Sequence, residues 1–257
     1  EALNLGTRTR PVLVGPITFL RLAKRTDGGE ALDLLPAILP AYAAVLRALA
    51  EAGATDVQID EPVLATDLDA AALAAFPIAY RALVEAAPGL RLLLATYFGG
   101  IEAHAALVAG LPVHGLHIDL VRAPQQLDAV LDVWPIGRDL SLGLVDGRNL
   151  WRCDLSTALA LGERAIARRG TDRLQVAPSC SLLHVPVSLG AETKLDPELK
   201  SWLAFAEEKL QELTVLKTAF DQGRDAAAAA LAENRAAIES RRNSPRVHDA
   251  QVTARMA

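Results

Sequence analysis

The chain has 257 residues and a mass of 27.3 kDa, with 26 Lys plus Arg against 31 Asp plus Glu and a formal net charge of −5. At 51% apolar and 22% charged residues it has the composition of a soluble globular protein, not of a disordered or fibrous one, and its acidic balance argues against a nucleic-acid partner. No run approaches about 18 uncharged apolar residues, so no membrane span is expected, and no basic-then-apolar leader is expected either. Two cysteines, Cys153 and Cys180, make no disulfide framework, so a reducing, cytoplasmic home is the expectation. The first residue is Glu1 and the only methionine is Met256, which suggests a processed chain or a piece of a longer protein.

Short runs rich in Val, Ile and Leu recur in order: Pro11–Gly15, Asp56–Glu61, Arg91–Tyr97, Gly115–Val121, Leu140–Val145 and Arg173–Pro178. Their near-continuous apolarity predicts strands buried on both faces, as in a parallel sheet covered by helices. Between them lie helical spacings: Leu35, Ile38, Leu39, Tyr42, Val45, Leu46 and Leu49, then Leu73, Phe76, Tyr80, Leu83 and Val84, then Leu127, Val130 and Leu131. This alternation predicts an α/β class, either a (βα)8 barrel or a doubly wound sheet. No G-x-G-x-x-G follows the first strand, which disfavours the dinucleotide-binding version. Beyond the strands, 197–219 reads as one long amphipathic helix closed by Gly223, and 225–240 as an alanine-rich helix. The polar stretch RRNSPR reads as an exit linker.

Candidate chemistry gathers at the ends of the predicted strands, which form the active-site face of a barrel. Asp60 and Glu61 close the second strand in QIDEP; one is placed to face a ligand, and the competing reading has both bonded to nearby loop or Arg groups. His117 and Asp119 share a strand face in HIDLV, as a metal pair or as a satisfied polar pair. Arg148 and Asn149 follow the fifth strand in DGRN, where Arg148 either clamps a carboxylate or pairs within the turn. Cys180 and His184 follow the sixth strand, but Cys-x-x-x-His alone lacks the ligand count of a zinc site. His104 and His114 read as surface or packing residues, and Trp151 and Trp202 as core or interface anchors.

Taken in order, RPVLVGPITFLRLAK, VQIDEPVL, LLLATYFGGI, GLHIDLV, LVDGRNLWRCDL and VAPSCSLLHVPVSLGAETKLDPELKSWLAFAEEKLQEL strongly resemble the cobalamin-independent methionine synthases, over essentially the whole chain. The family enzyme transfers a methyl group from 5-methyltetrahydropteroyltriglutamate to homocysteine and has two (βα)8 barrels joined by a helical linker. The resemblance implies that 1–195 is a partial N-terminal barrel, an incomplete TIM barrel of about six strands with the first two missing, and that 196–257 is the final barrel helix plus linker. It also implies that the family's zinc ligands, a His-x-Cys pair, a Glu and a second Cys, lie in the missing C-terminal barrel, and that its basic folate-tail contacts lie in the absent early segment. No catalytic residue is then carried here. By the duplication, Leu94 and Thr96 stand where the other barrel carries His-x-Cys, while Asp119 and Cys180 stand near the Glu and the last Cys, a vestigial site with no zinc expected. Asp60, Glu61, Asp119, Arg148 and Asn149 remain ligand-binding candidates. Two other readings compete: a stand-alone folate-binding or interaction module without catalysis, and a small metal-dependent barrel enzyme, which lacks a complete ligand set.

Overall fold

A computed structural model of the chain describes residues 2–256. Six strands form one sheet whose order follows the chain: β1 Val12–Val14, β2 Asp56–Asp60, β3 Arg91–Ala95, β4 Gly115–Asp119, β5 Asp139–Val145 and β6 Leu174–Pro178. The first three pairings are parallel, with Val14, Asp60, Ala95 and His117 at one level of the register. Helices α1 Pro16–Leu22, α2 Leu35–Glu51, α3 Ala70–Ala86, α4 Ala105–Gly110, α5 Gln126–Val133 and α6 Leu155–Arg169 alternate with the strands. This is the α/β rhythm expected of an open (βα) barrel, and all six predicted strands fall in place. The chain divides into two compact units, Glu1–Leu142 with Arg169–Gln175 and Gly143–Arg168 with Val176–Ala257.

In the first unit, buried Val57, Ile59, Leu92, Leu94, Leu116 and Ile118 supply the sheet side of the core, and Phe76, Tyr80 and Leu83 of α3 pack in behind it. At the strand N-termini Arg91 pairs with Asp56 and Asp139, and Arg173 reaches Asp139 at 3.2 Å. These half-exposed pairs are worth at most about 1 kcal/mol each. Arg169 donates to the carbonyls of Trp134, Pro135, Ile136 and Arg138, closing the turn before β5.

The free edge of β1 is apolar: Val12 and Val14 are 55% and 51% exposed. The Tyr42 hydroxyl of α2 donates to the Val14 carbonyl at 2.8 Å, so the edge continues onto α2, of which only Leu35 and Leu46 are buried. The helical stretch Ala31–Glu51 is, by length and composition, apolar enough to cross a membrane, with a mean hydropathy of 1.6. The uncharged stretch within it, 34–46, is bounded by Asp33 and Arg47 and so stays short of the roughly 18 uncharged apolar residues of a membrane span. The helix packs against α1 and α3.

The second unit corrects one helix. The predicted helix 197–219 is two, α7 Pro197–Ser201 and α8 Ala206–Gln222. Asp196 caps α7, accepting from the Leu199 N–H at 3.1 Å. The chain then leaves the helix because Leu203 bridges Trp151 in antiparallel fashion, with the Arg152 N–H on the Trp202 carbonyl and the Ala204 N–H on the Leu150 carbonyl, each at 2.8 Å. Leu203 and Phe205 join Leu189 in a buried cluster. Helix α8 restarts with Glu208 reaching back to the Phe205 N–H at 3.0 Å. It buries Lys209, Glu212, Leu216 and Ala219 and leaves Leu210 exposed, so its inward face keeps Leu216 of the predicted stripe but turns away from Leu210. It ends at Gly223, whose φ of 89° favours glycine. Helix α9, Ala228–Asn243, and α10, Ala250–Met256, complete the chain.

Candidate functional site

The start of α1 fixes the first candidate residue. Gly15 occupies the N-cap and Pro16 the first helical position, so no side chain of the local sequence caps the helix. Glu61, at the end of β2, supplies the missing acceptor. Its Oε1 accepts from the Ile17 N–H at 3.2 Å and its Oε2 from the Thr18 N–H at 2.7 Å. The Tyr80 hydroxyl donates to Oε1 at 3.4 Å. Glu61 is fully buried, and burial outweighs these hydrogen bonds, pushing its pKa up to about 7. A Cβ on Gly15 would lie 2.1 Å from the Glu61 Cδ, so glycine is required for the carboxyl to reach the helix. VGPIT and QIDEP therefore form one structural feature.

Asp60, its neighbour, points the other way, as strand alternation dictates, and is half-buried. Its carboxylate accepts from Gln58 Nε2 at 2.8 Å and from the Tyr97 hydroxyl at 3.0 Å. Burial, the leading cause, raises its pKa against those two bonds and the nearby His117. Asp119 is buried at the end of β4 and accepts from three backbone N–H groups: Phe98 at 2.9 Å, Val121 at 3.0 Å and Arg122 at 2.9 Å. Phe98 has a φ of 74°, a strained conformation for an aromatic residue, and its N–H bond to Asp119 is what holds it there. Its ring meets Tyr97 edge-on at 4.6 Å. The first unit thus brings Asp60, Tyr97, Phe98 and Asp119 to the C-terminal strand ends. For Tyr97 and Phe98 the available sequence signal is an aromatic pair directly after a strand.

His117 shares a strand with Asp119 but turns to Ser141, with Nδ1 2.9 Å from Oγ. His114 Nδ1 accepts from the Leu92 N–H, and His104 Nε2 lies 3.3 Å from the Thr66 carbonyl. Leu94 is fully buried and the Thr96 hydroxyl donates to the His117 carbonyl at 2.9 Å. Among the described residues no three His, Cys, Asp or Glu side chains gather to hold a metal ion. The residues present do not fit a zinc centre.

In the second unit, the DGRN turn closes on itself. Asp146 accepts from the Arg148 N–H at 2.7 Å and from Asn149 Nδ2 at 2.6 Å, and Asn149 Oδ1 accepts from the Trp151 N–H at 3.0 Å. The Arg148 side chain is exposed. Buried Cys180 lies against the turn: a Cβ on Gly147 would sit 2.7 Å from the Cys180 carbonyl oxygen and 2.9 Å from its Sγ. Trp202 is buried, with Nε1 donating to the Ser240 hydroxyl at 3.0 Å, whereas Trp151 is partly exposed beneath the Arg241 guanidinium. Three polar side chains of α8 and α9, Lys209, Glu212 and Asn234, bond the backbone of the segment after the DGRN turn and carry no signal in the sequence pattern.

Comparison with known proteins places this geometry. A family model described as "Cobalamin-independent synthase, N-terminal domain" matches residues 1–169. The chain is 54% identical over its whole length to the 5-methyltetrahydropteroyltriglutamate–homocysteine methyltransferase of Parvibaculum lavamentivorans, and 53% identical to that of Caulobacter vibrioides. It spans only about a third, 34% and 33%, of those relatives. Among solved structures it resembles a B12-independent methionine synthase from Shewanella sp. W3-18-1, solved with selenomethionine. The TM-score is 0.59 at 12% identity, covering 88% of this chain and 64% of that one. A methyltransferase from Methanosarcina mazei gives a TM-score of 0.55 at 18% identity, covering 85% and 61%. At these identities the structural likeness concerns the fold. The chain belongs to the cobalamin-independent synthase N-terminal domain family.

Proposed function

We propose that the chain is part of a cobalamin-independent methionine synthase, which moves the methyl group of 5-methyltetrahydropteroyltriglutamate to the homocysteine thiol. The observation that carries this reading is identity of 54% over the full chain to a methyltransferase of which the chain spans 34%. In this reading residues 1–195 are a partial N-terminal barrel, and 196–257 are its last helix and the linker toward the other barrel. The segment acts as scaffold and folate-side domain in the cytoplasm. The zinc that activates homocysteine belongs to the part outside this chain, and Asp119 and Cys180 are vestigial positions, each within its own unit. The apolar β1 edge, running onto α2, is the surface that the preceding strands cover. Of the ligand candidates, Asp60 and Arg148 are the better contacts, because their side chains reach solvent while Glu61 is engaged with α1 and Asp119 with three N–H groups.

The test compares the chain with the full-length enzyme. Methyl transfer from methyltetrahydrofolate-triglutamate to homocysteine and stoichiometric zinc are expected in the full-length protein and absent from the chain alone. Transfer by the isolated chain, or zinc bound through Cys180, would overturn the reading. Tight binding of the folate by the chain alone would favour a stand-alone folate module instead.

A further inference from the structure

The irregular segment that follows the DGRN turn, 150–154, and the first residue of α6, Leu155, are strapped down by α8 and α9. Lys209 Nζ donates to the Trp151 carbonyl at 3.1 Å. Glu212 Oε1 accepts from the Cys153 N–H at 2.9 Å. Asn234 of α9 donates to the Cys153 carbonyl at 2.9 Å and accepts from the Leu155 N–H at 3.2 Å. Arg152 pairs with Glu233 at 3.0 Å, and Arg241 covers the Trp151 ring at 4.7 Å.

One group in this strap is incomplete. Glu212 is only 7% exposed, and its Oε2 is sealed from solvent with no hydrogen-bond partner among the described residues. An ionised carboxylate is poorly stable in such a place, because one N–H replaces the several water contacts it gives up. A recess of about 160 Å³ opens beside it, lined by Arg152, Glu208, Gln211, Val215, Glu233 and Asn234, with ample room for water.

We propose that the Glu212–Cys153 contact is a pH-sensitive latch. It is closed while the Glu212 carboxyl is neutral, and it loosens when ionised Oε2 draws water in from the recess. The charged groups around Glu212 set its midpoint. Lys209 on its own helix and Arg152 on the strap favour the carboxylate, and Glu208 disfavours it. Cys153, Asp154 and Asp146 face the same cluster, as does Glu233 from α9, already paired with Arg152. Burial outweighs the favourable partners and pushes the Glu212 pKa up to about 7, so the latch works in the neutral range. The strap starts immediately after the turn carrying Arg148 and Asn149, and Asn149 is itself bonded to the Trp151 N–H. Loosening therefore frees the downstream side of that turn.

The test is amide hydrogen exchange of the chain between about pH 5.5 and 8.5, corrected for intrinsic exchange, alongside a carbon-13 titration of the Glu212 carboxyl. The expected result is a Glu212 midpoint near neutrality. Over the same range the protection of the Cys153 and Leu155 amides should fall about tenfold, while β2 and β3 amides stay constant. Glu212→Gln keeps an acceptor for the Cys153 N–H and should make protection independent of pH. Lys209→Met removes a favourable cation and should move the midpoint upward. A midpoint in the ordinary carboxylate range, flat protection, a slope that survives Glu212→Gln, or a midpoint unmoved by Lys209→Met each overturns the latch.

Discussion

Replacing Gly15 with Ala tests the claim that β2 caps α1. The added methyl would stand 2.1 to 2.5 Å from the Cδ, Oε1 and Cγ of Glu61. An exposed glutamate would swing aside at little cost. Glu61 cannot, because it is fully buried and pinned by the Ile17 and Thr18 N–H groups and the Tyr80 hydroxyl. Moving it breaks two backbone hydrogen bonds to a carboxyl acceptor, each worth about 1.5–3 kcal/mol, and leaves those donors unsatisfied. Keeping it costs a comparable overpacking strain of about 1–3 kcal/mol. The expected loss is about 3 kcal/mol, which in a chain of this size lowers Tm by roughly 6–12 °C. Urea unfolding followed by circular dichroism measures it, best as a cycle with Glu61→Ala. In the Glu61→Ala background the methyl enters vacated space, so the second substitution should cost less than about 1 kcal/mol. A Gly15→Ala penalty below about 1 kcal/mol, or one equal in both backgrounds, would refute the cap.

Three further outcomes are expected. Glu61 keeps its proton to about pH 7 when folded but releases it near its ordinary 4.5 when unfolded, so the folded chain binds the extra proton in between. Its contribution is therefore complete below about 4.5 and lost as pH rises toward 7, with a ceiling of about 3 kcal/mol; Tyr80→Phe, which removes a favourable donor, should raise the Glu61 midpoint in a carbon-13 titration, and a fall would contradict the assignment. Gly147→Ala should destabilise by about 1–3 kcal/mol and should not be rescued by Cys180→Ala, since the nearest clash is with the Cys180 main-chain oxygen; full rescue in a thermal melt would place the constraint on the thiol instead. The open β1 edge should drive self-association of the isolated chain, and Val12→Lys with Val14→Lys should suppress it in sedimentation velocity; unchanged association would assign the contact to another face.

What the sequence revealed follows from which interactions are local. Strands β3, β4 and β5 were legible because they are buried on both faces and leave apolar runs that need no partner to be recognised, whereas β2 alternates and β1 lies exposed at the edge. The break at Trp202–Phe205 was not, since the helical spacing of Leu199, Leu203 and Leu210 is real but is overruled by the bridge from Leu203 to Trp151, about fifty residues upstream. The burial of Lys209 and Glu212 is not legible in the sequence for the same reason: it depends on the backbone of the distant 151–153 segment. QIDEP was recognised as a place for chemistry, yet the role of Glu61 depended on a distant helix whose local sequence lacks a capping side chain. Asp60 and Glu61 look equivalent in sequence, and the pleat separates them into one group bonded to Tyr97 and another sealed against α1.

Strand order that repeats chain order has a consequence for how such a sheet is assembled. Every strand from β2 to β6 finds its neighbour in the strand synthesised just before it. Pairing therefore closes only short loops, which cost little entropy, and a chain leaving the ribosome can extend the sheet one strand and helix at a time. The same arrangement makes the architecture tolerant of added or lost βα units at either end of the row. Each change leaves the interior pairings intact and relocates only the exposed edge, a geometry in which lengthening, duplication and fusion of barrels disturb few existing contacts.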